Sequence, residues 1–147
     1  MLRLPTALVE EMIAHSREEL PNEACGMVHA LDGGSMTLHR VTNAAASPYR
    51  YDMAPLEMLK LERLRDERGE ALFAIYHSHV ASEAWPSPTD VRMAFWPPGE
   101  MDGRPMYPDA YYVLVSLAEQ PADVRAFRIR PGASVAECIE EEPLEVV

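Results

Sequence analysis

The reading of this chain turns on Ala71-Leu72-Phe73-Ala74-Ile75-Tyr76-His77-Ser78-His79, followed closely by Ser87-Pro88-Thr89-Asp90. Ala71 to Tyr76 is a compact apolar run after a helical pattern, which predicts a buried central strand with His77 and His79 at its end. Side chains alternate across a strand with period two, so the two histidines project to the same side and can share one metal ion. Ser87-Pro88-Thr89-Asp90 places a hydroxyl cap, a proline at the first helical position and an acid three residues after the cap, which predicts a short helix beginning at Ser87. Asp90, eleven residues beyond His79, can swing back from that first turn to the strand end.

Upstream of this strand, Pro55 opens a segment rich in Leu, Glu and Arg that runs to Arg68 and is stopped by Gly69, the pattern of a helix. Tyr49 to Met53 reads as a further strand. Ala24 to Leu31 and Ser35 to Val41 flank Asp32-Gly33-Gly34, a turn-forming run, and together predict a hairpin. Before it, Pro5 starts an amphipathic helix that ends ahead of Pro21, with Leu8, Val9, Met12, Ile13 and Leu20 in one arc. Downstream, four prolines and two glycines between Pro97 and Asp109 argue against regular structure there and suggest a loop flanking the site. Tyr111 to Leu117 and Val124 to Arg130 read as strands, with one more near Val135 to Ile139. Helices and strands alternate without a strict βαβ rhythm, so the expected class is α/β or α+β, a mixed sheet with helices packed on it.

A length of 147 residues predicts one domain spanning 1–147. With 48% hydrophobic and 25% charged residues, such a chain builds a core without disulfide staples. Lys plus Arg number 13 against 24 Asp plus Glu, a formal net charge of −11, which is the wrong sign for neutralising phosphates. General nucleic-acid binding and adhesion to an anionic membrane are therefore excluded. Met1 to His15 does not read as a signal peptide, and no apolar run approaches the ~20 residues of a membrane span. Cys25 and Cys138 are expected as reduced thiols, and the chain as cytoplasmic.

Two histidines and one carboxylate leave a tetrahedral zinc one open position for water, the arrangement of a catalytic centre. Such a centre also needs a base for the water's proton and a donor for the charge growing on the substrate's carbonyl oxygen. Glu23 and Ser87 are the candidates. Glu23 stands at the mouth of the first hairpin strand, where Ala24-Cys25-Gly26 would let that strand lie close to the metal strand. Ser87, three residues before Asp90, is held near it by the turn.

Glu23, His77-Ser78-His79 and Ser87-Pro88-Thr89-Asp90 resemble the JAMM (MPN-plus) metalloprotease signature: an upstream glutamate, H-x-H, seven residues, then S-x-x-D. The resemblance implies a cytidine-deaminase-like mixed sheet flanked by helices. It also implies one zinc per chain held by His77, His79 and Asp90, Glu23 as general acid/base to the zinc-bound water, and Ser87 supporting the oxyanion. Members of the family cleave peptide or isopeptide bonds at the C-terminal tail of ubiquitin-like proteins. Val80 departs from the family pattern, in which proline often follows the second histidine; the change affects a loop and not a ligand. Tyr76-His77-Ser78-His79, Glu83-Ala84-Trp85-Pro86-Ser87 and Glu23-Ala24-Cys25-Gly26 look most like the small bacterial branch. Its substrates are ubiquitin-like sulfur carrier proteins, from whose Gly-Gly end a cysteine or a short cysteine-containing extension is removed. Trp85 and Tyr76 would line the groove or simply pack.

The alternatives are a non-catalytic MPN scaffold that binds partners and a deubiquitinase-like isopeptidase with another substrate. An amidohydrolase barrel also uses H-x-H but needs ~250 residues, and the H-x-E with P-C-x-x-C pattern of zinc deaminases is absent. Cys25 could serve a thiol protease, with His77 or His79 as base, or as a fourth ligand close the metal site. His15, His29 and His39 are assigned no chemistry. A homodimer is compatible with the sequence but not indicated by it.

Overall fold

The computed structural model describes residues 1–32 and 34–147; Gly33, in the predicted hairpin turn, lies outside the described residues. Strand β1 (Leu2–Leu4) leads into helix α1 (Thr6–Glu18), and β2 (Cys25–Ala30) and β3 (Met36–Val41) form the predicted hairpin. Helix α2 (Pro55–Arg68) precedes the long strand β4 (Ala71–His79). After α3 (Pro88–Met93) come the short strands β5 (Phe95–Trp96) and β6 (Arg104–Pro105), then β7 (Tyr111–Ser116) and β8 (Asp123–Ile129). The chain closes with α4 (Val135–Cys138), β9 (Ile139–Glu142) and β10 (Leu144–Val146).

Six strands make one mixed sheet in the order β3-β2-β4-β7-β8-β9, with β4 at its interior. The β4–β7 pair is parallel and pairs Tyr76 with Val113 and His77 with Leu114, whereas every other pairing in this sheet is antiparallel. A parallel neighbour requires a crossover, and the crossover after β4 is the segment that carries α3.

Alternation along β4 divides two cores. Ala74 and Tyr76 join Val28, Val113, Val115 and Ala126 beneath α1, whose Leu8, Val9 and Met12 are buried there. Ile75 faces the other side, with Cys25, Met27, Leu114 and Phe127, covered by α3, α4 and the half-buried Met58 and Leu61 of α2. The two histidines continue the row of Ile75. This is an α+β fold, a mixed sheet with helices on each face, as expected.

Four expectations are corrected. Leu20 lies beyond the end of α1 and is 46% exposed, so it is not part of the buried arc; the arc continues instead through His15 and Ser16. Tyr49 to Met53 forms no strand: Asn43 and Met53 make an isolated bridge, and the segment is held by side-chain bonds. Val135 to Ile139 is mostly the single turn of α4, capped by Ser134 accepting from Glu137 N–H, with β9 starting only at Ile139. Within Pro97 to Asp109, Arg104 and Pro105 do pair, with Trp96 and Phe95. The parallel ladder of β1 with β10, which ties the two ends together, has no signal in such short runs.

Gly26 is required by close approach. A Cβ there would sit 2.3 Å from Cε1 and 2.5 Å from the hydroxyl of Tyr76, a ring with no exposed surface. That hydroxyl lies 2.7 Å from His15 Nδ1 beneath α1. Gly26→Ala is therefore expected to lower stability by about 3 kcal/mol, the upper range for overpacking, as read by urea unfolding. A loss below about 0.5 kcal/mol would show that the Tyr76 ring can move aside.

Candidate metal centre

Strand β4 delivers His77 and His79 to one side, and α3 delivers Asp90. His77 Nε2 and His79 Nε2 lie 3.1 and 3.0 Å from Asp90 Oδ2, and 3.3 Å from each other. All three side chains are buried. Among the described residues this is the one group of three or more His, Cys, Asp or Glu side chains whose ligand atoms all fall within 4.8 Å of one another.

The donor set fits a cation. His79 Nδ1 donates to the carbonyl of Glu83 at 2.8 Å, so in the neutral ring Nε2 is a bare lone pair facing a carboxylate oxygen. Two such lone pairs repel unless a proton or a metal ion stands between them. Metal–ligand bonds of about 2.0–2.1 Å in a tetrahedron put ligand atoms roughly 3.3–3.4 Å apart, close to the spacings seen here.

Helix α3 fixes its acid through a reciprocal cap. Ser87 Oγ accepts from Asp90 N–H at 3.1 Å, and Asp90 Oδ2 accepts from Ser87 N–H at 2.9 Å. Burial alone would raise the Asp90 carboxyl, but the charge of His77 and hydrogen bonds from His77, His79 and the Ser87 amide outweigh it and hold the group well below the usual carboxylate range. For His79, burial works towards a lower value, yet the Asp90 and Glu83 hydrogen bonds prevail and raise it. Asp90 is thus an anion ready to bind a cation, while the Ser87 hydroxyl, half-buried beside it, keeps its own hydrogen free to donate.

Glu23 precedes β2 and is almost fully buried, and its Oε1 has no hydrogen-bond partner among the described residues. Burial, and then the negative charge of Asp90, raise its carboxyl to about 8 against an opposing pull from His79. The structure therefore brings Glu23 close enough to sense both Asp90 and His79, yet outside the three-atom ligand group. Its backbone is held on both sides: the N–H donates to Ser47 O at 2.9 Å, and the carbonyl accepts from Asn43 Nδ2 at 3.0 Å.

Cys25 is not among the three ligand residues. It is fully buried, its Sγ lies 3.5 Å from the carbonyl of Val41, and burial pushes the thiol up to about 12. A thiolate nucleophile is excluded by that environment. Tyr76 points away from the centre and packs under α1, while Trp85, 39% exposed, sets its ring edge-on to Phe127 at 5.2 Å. His15 lies against Tyr76, and His29 faces Arg65 at 3.0 Å with its ring tilted 46° to that of His39, so none of the three joins the centre.

Three residues escaped the sequence reading. Ser78, between the histidines, points to the opposite side and accepts from Ala24 N–H at 2.8 Å, while its own N–H donates to Ala24 O, locking β4 to the segment that carries Glu23. Alternation alone could have shown that Ser78 faces away from the metal side. Asn43 and Tyr51, on the loop before α2, carry no spacing signal at all.

Comparison with known proteins gives a consistent picture. The family model for prokaryotic homologs of the JAB domain matches residues 5–130. A CysO-cysteine peptidase of Mycobacterium tuberculosis (strain H37Rv) is 38% identical over 143 residues, covering 95% of this chain and 87% of that protein. A probable TtuB-protein conjugate cleaving protease of Thermus thermophilus is 38% identical over 100 residues, 65% of each chain. The solution structure of a Desulfitobacterium hafniense protein superposes with a TM-score of 0.78 at 30% identity, over 100% of this chain and 93% of that one.

Proposed function

Because this chain belongs to the family of prokaryotic homologs of the JAB domain, matched over residues 5–130, we propose that it is a cytoplasmic, one-domain zinc metallopeptidase. Its substrate in this reading is a ubiquitin-like sulfur carrier protein, cleaved after the C-terminal Gly-Gly to release cysteine or a short cysteine-containing extension. The observation that carries the proposal is the convergence of His77, His79 and Asp90, with the buried Glu23 near enough to feel the charge of Asp90 and His79. Support for the substrate comes from the likeness to a CysO-cysteine peptidase along 95% of the chain.

His77 Nε2, His79 Nε2 and Asp90 Oδ2 would hold the ion. Zinc, when bound, supplies Lewis-acid polarisation of the scissile carbonyl and lowers the pKa of water. Glu23 takes the proton of the attacking water on its carboxylate and passes it to the leaving amine nitrogen as the C–N bond breaks. Ser87 donates its hydroxyl hydrogen to the carbonyl oxygen as negative charge builds there. The product acid stays on the carrier's terminal glycine, and the amine leaves with cysteine.

A second reading, an isopeptidase acting on carrier–protein conjugates, is supported by the likeness to the TtuB-conjugate protease over 65% of the chain. Elemental mass spectrometry on protein purified without chelator, followed by mass analysis of a Gly-Gly-Cys-ending carrier after incubation, tests both. About one zinc per chain and loss of one cysteine from the carrier are expected, with cleavage abolished by chelation and restored by zinc. Zinc binding with an intact carrier–cysteine but a cleaved lysine conjugate would favour the isopeptidase. A chain that stays metal-free when zinc is supplied under reducing conditions would leave the partner-binding scaffold.

A further inference from the structure

The two imidazoles of the centre are oriented by different means. His79 is fixed through its second ring nitrogen, whose proton goes to the Glu83 carbonyl. His77 has no such anchor: its Nδ1 is buried without a hydrogen-bond partner among the described residues. A ligating histidine is ordinarily held through its other nitrogen, because a freely rotating ring must lose that freedom on binding. Something else must hold His77.

Tyr51 is placed to do so. Its ring stacks on that of His77 with centroids 4.4 Å apart and planes inclined by 29°. Tyr51 belongs to no helix or strand, and the loop that presents it is closed by the Asn43–Met53 bridge and a bond from Ala44 N–H to Asp52 O, with the Asn43 side chain at its centre. Asn43 Nδ2 donates to Glu23 O at 3.0 Å and to Arg50 O at 3.1 Å, and Asn43 Oδ1 accepts from Ala45 N–H and Asp52 N–H, each at 3.0 Å. Two donors and two acceptor positions make up the whole capacity of an asparagine amide. The bonds to Arg50 and Asp52 bracket Tyr51, and the bond to Glu23 joins the same loop to the proton-transferring acid.

We propose that Tyr51 is a positioning residue that orients His77 by stacking in place of the missing Nδ1 hydrogen bond, on a loop latched by Asn43. The inference rests on the metal-centre reading above. The stack sets the ring plane, and with it the direction of the Nε2 lone pair, before any ion arrives.

Zinc affinity measured by competition with a chromogenic chelator separates this role from ordinary packing, with thermal unfolding of the chelator-stripped protein run in parallel. Tyr51→Phe keeps the ring face and is expected to bind zinc within twofold of wild type. Tyr51→Met fills most of the volume without a ring face and is expected to weaken zinc by about 10-fold or more, the scale seen when the partner of a ligating histidine is lost. Packing alone would lower the melting temperature of the stripped protein and leave zinc affinity unmoved, so a Tyr51→Met variant binding within twofold of wild type overturns the proposal whatever its stability. If Tyr51→Met does not fold, Asn43→Ser loosens the latch while keeping the ring. It should weaken zinc in the same direction, and unchanged affinity there overturns the proposal. Wild-type protein that takes up no zinc would overturn the metal-centre reading and this inference with it; wild-type uptake with unaffected variants overturns this inference alone.

Discussion

Replacing Glu23 with glutamine is expected to leave zinc content at the wild-type level while lowering kcat on a Gly-Gly-Cys-ending carrier by about 10³-fold, within the range for loss of a general acid/base. Glu23 lies outside the three-atom ligand group, so the substitution removes no donor to the ion. Glutamine has the shape of glutamate, and the bonds holding this residue run through its backbone, to Ser47 O and from Asn43 Nδ2, so the carbon frame stays in place. What disappears is the ability to take up and hand over a proton at an oxygen that no donor among the described residues occupies. Without an ion, desolvation first and Asp90 second raise this carboxyl to about 8; a cation held at Asp90 opposes the second cause and draws the group towards the carboxylate that accepts the water's proton. Elemental analysis and single-turnover kinetics on the same preparation check the two halves together. A kcat within about tenfold of wild type would remove Glu23 from the chemistry, and a loss of zinc would make it a ligand.

How far the sequence foretells this centre depends on where each signal resides. Period-two alternation suffices to put His77 and His79 on one side of a strand, and the Ser87–Asp90 cap is a local pattern that holds with or without an ion. Their meeting at about 3 Å, however, is a product of the crossover between two parallel strands, β4 and β7, which brings α3 back over the end of β4. Spacing could suggest that meeting only through likeness to a known family. Helix α1 and the β2–β3 hairpin are legible from their apolar pattern with a proline or glycine at a boundary, whereas α2, which buries no residue, is legible from its Leu, Glu and Arg content between Pro55 and Gly69. Val135 to Ile139 misleads because a β-branched residue at either end resembles a strand, while the Ser134 cap wins locally and closes one helical turn.

The loop from Asn43 to Met53 shows the other limit. Besides the Asn43–Met53 bridge and the Ala44 N–H to Asp52 O bond, its order draws on one amide whose partners lie up to twenty residues away, Glu23 on one side and Asp52 on the other. No short window of sequence contains that network, and Asn43-Ala-Ala-Ala-Ser-Pro-Tyr-Arg-Tyr-Asp-Met53 has the composition of an ordinary surface loop. Tyr51 therefore looks like a strand residue in Tyr49 to Met53, whereas in space it belongs to the centre.

Asp90→Ala is expected to remove zinc and activity together. Structural zinc sites gain about 10–16 kcal/mol from four ligands, so one ligand is worth about 3–4 kcal/mol, a loss of about 10²–10³ in affinity. Here the loss falls on the only anion of the group, and the two histidines left behind face each other at 3.3 Å with no negative charge between them. The same substitution unties the cap of α3, because Ser87 N–H loses its acceptor at 2.9 Å, at a cost of about 1 kcal/mol. Ser87→Ala supplies the contrast. It cuts the other half of the cap, the acceptor of Asp90 N–H at 3.1 Å, at a similar cost in stability. The ligand set remains, so zinc should be retained while kcat falls by about 10²–10³-fold, as for a lost oxyanion donor. The pair thus separates two roles that four consecutive residues carry in one turn. Full zinc occupancy in Asp90→Ala would show that the ion sits elsewhere, and an unchanged kcat in zinc-loaded Ser87→Ala would reduce that serine to a helix cap.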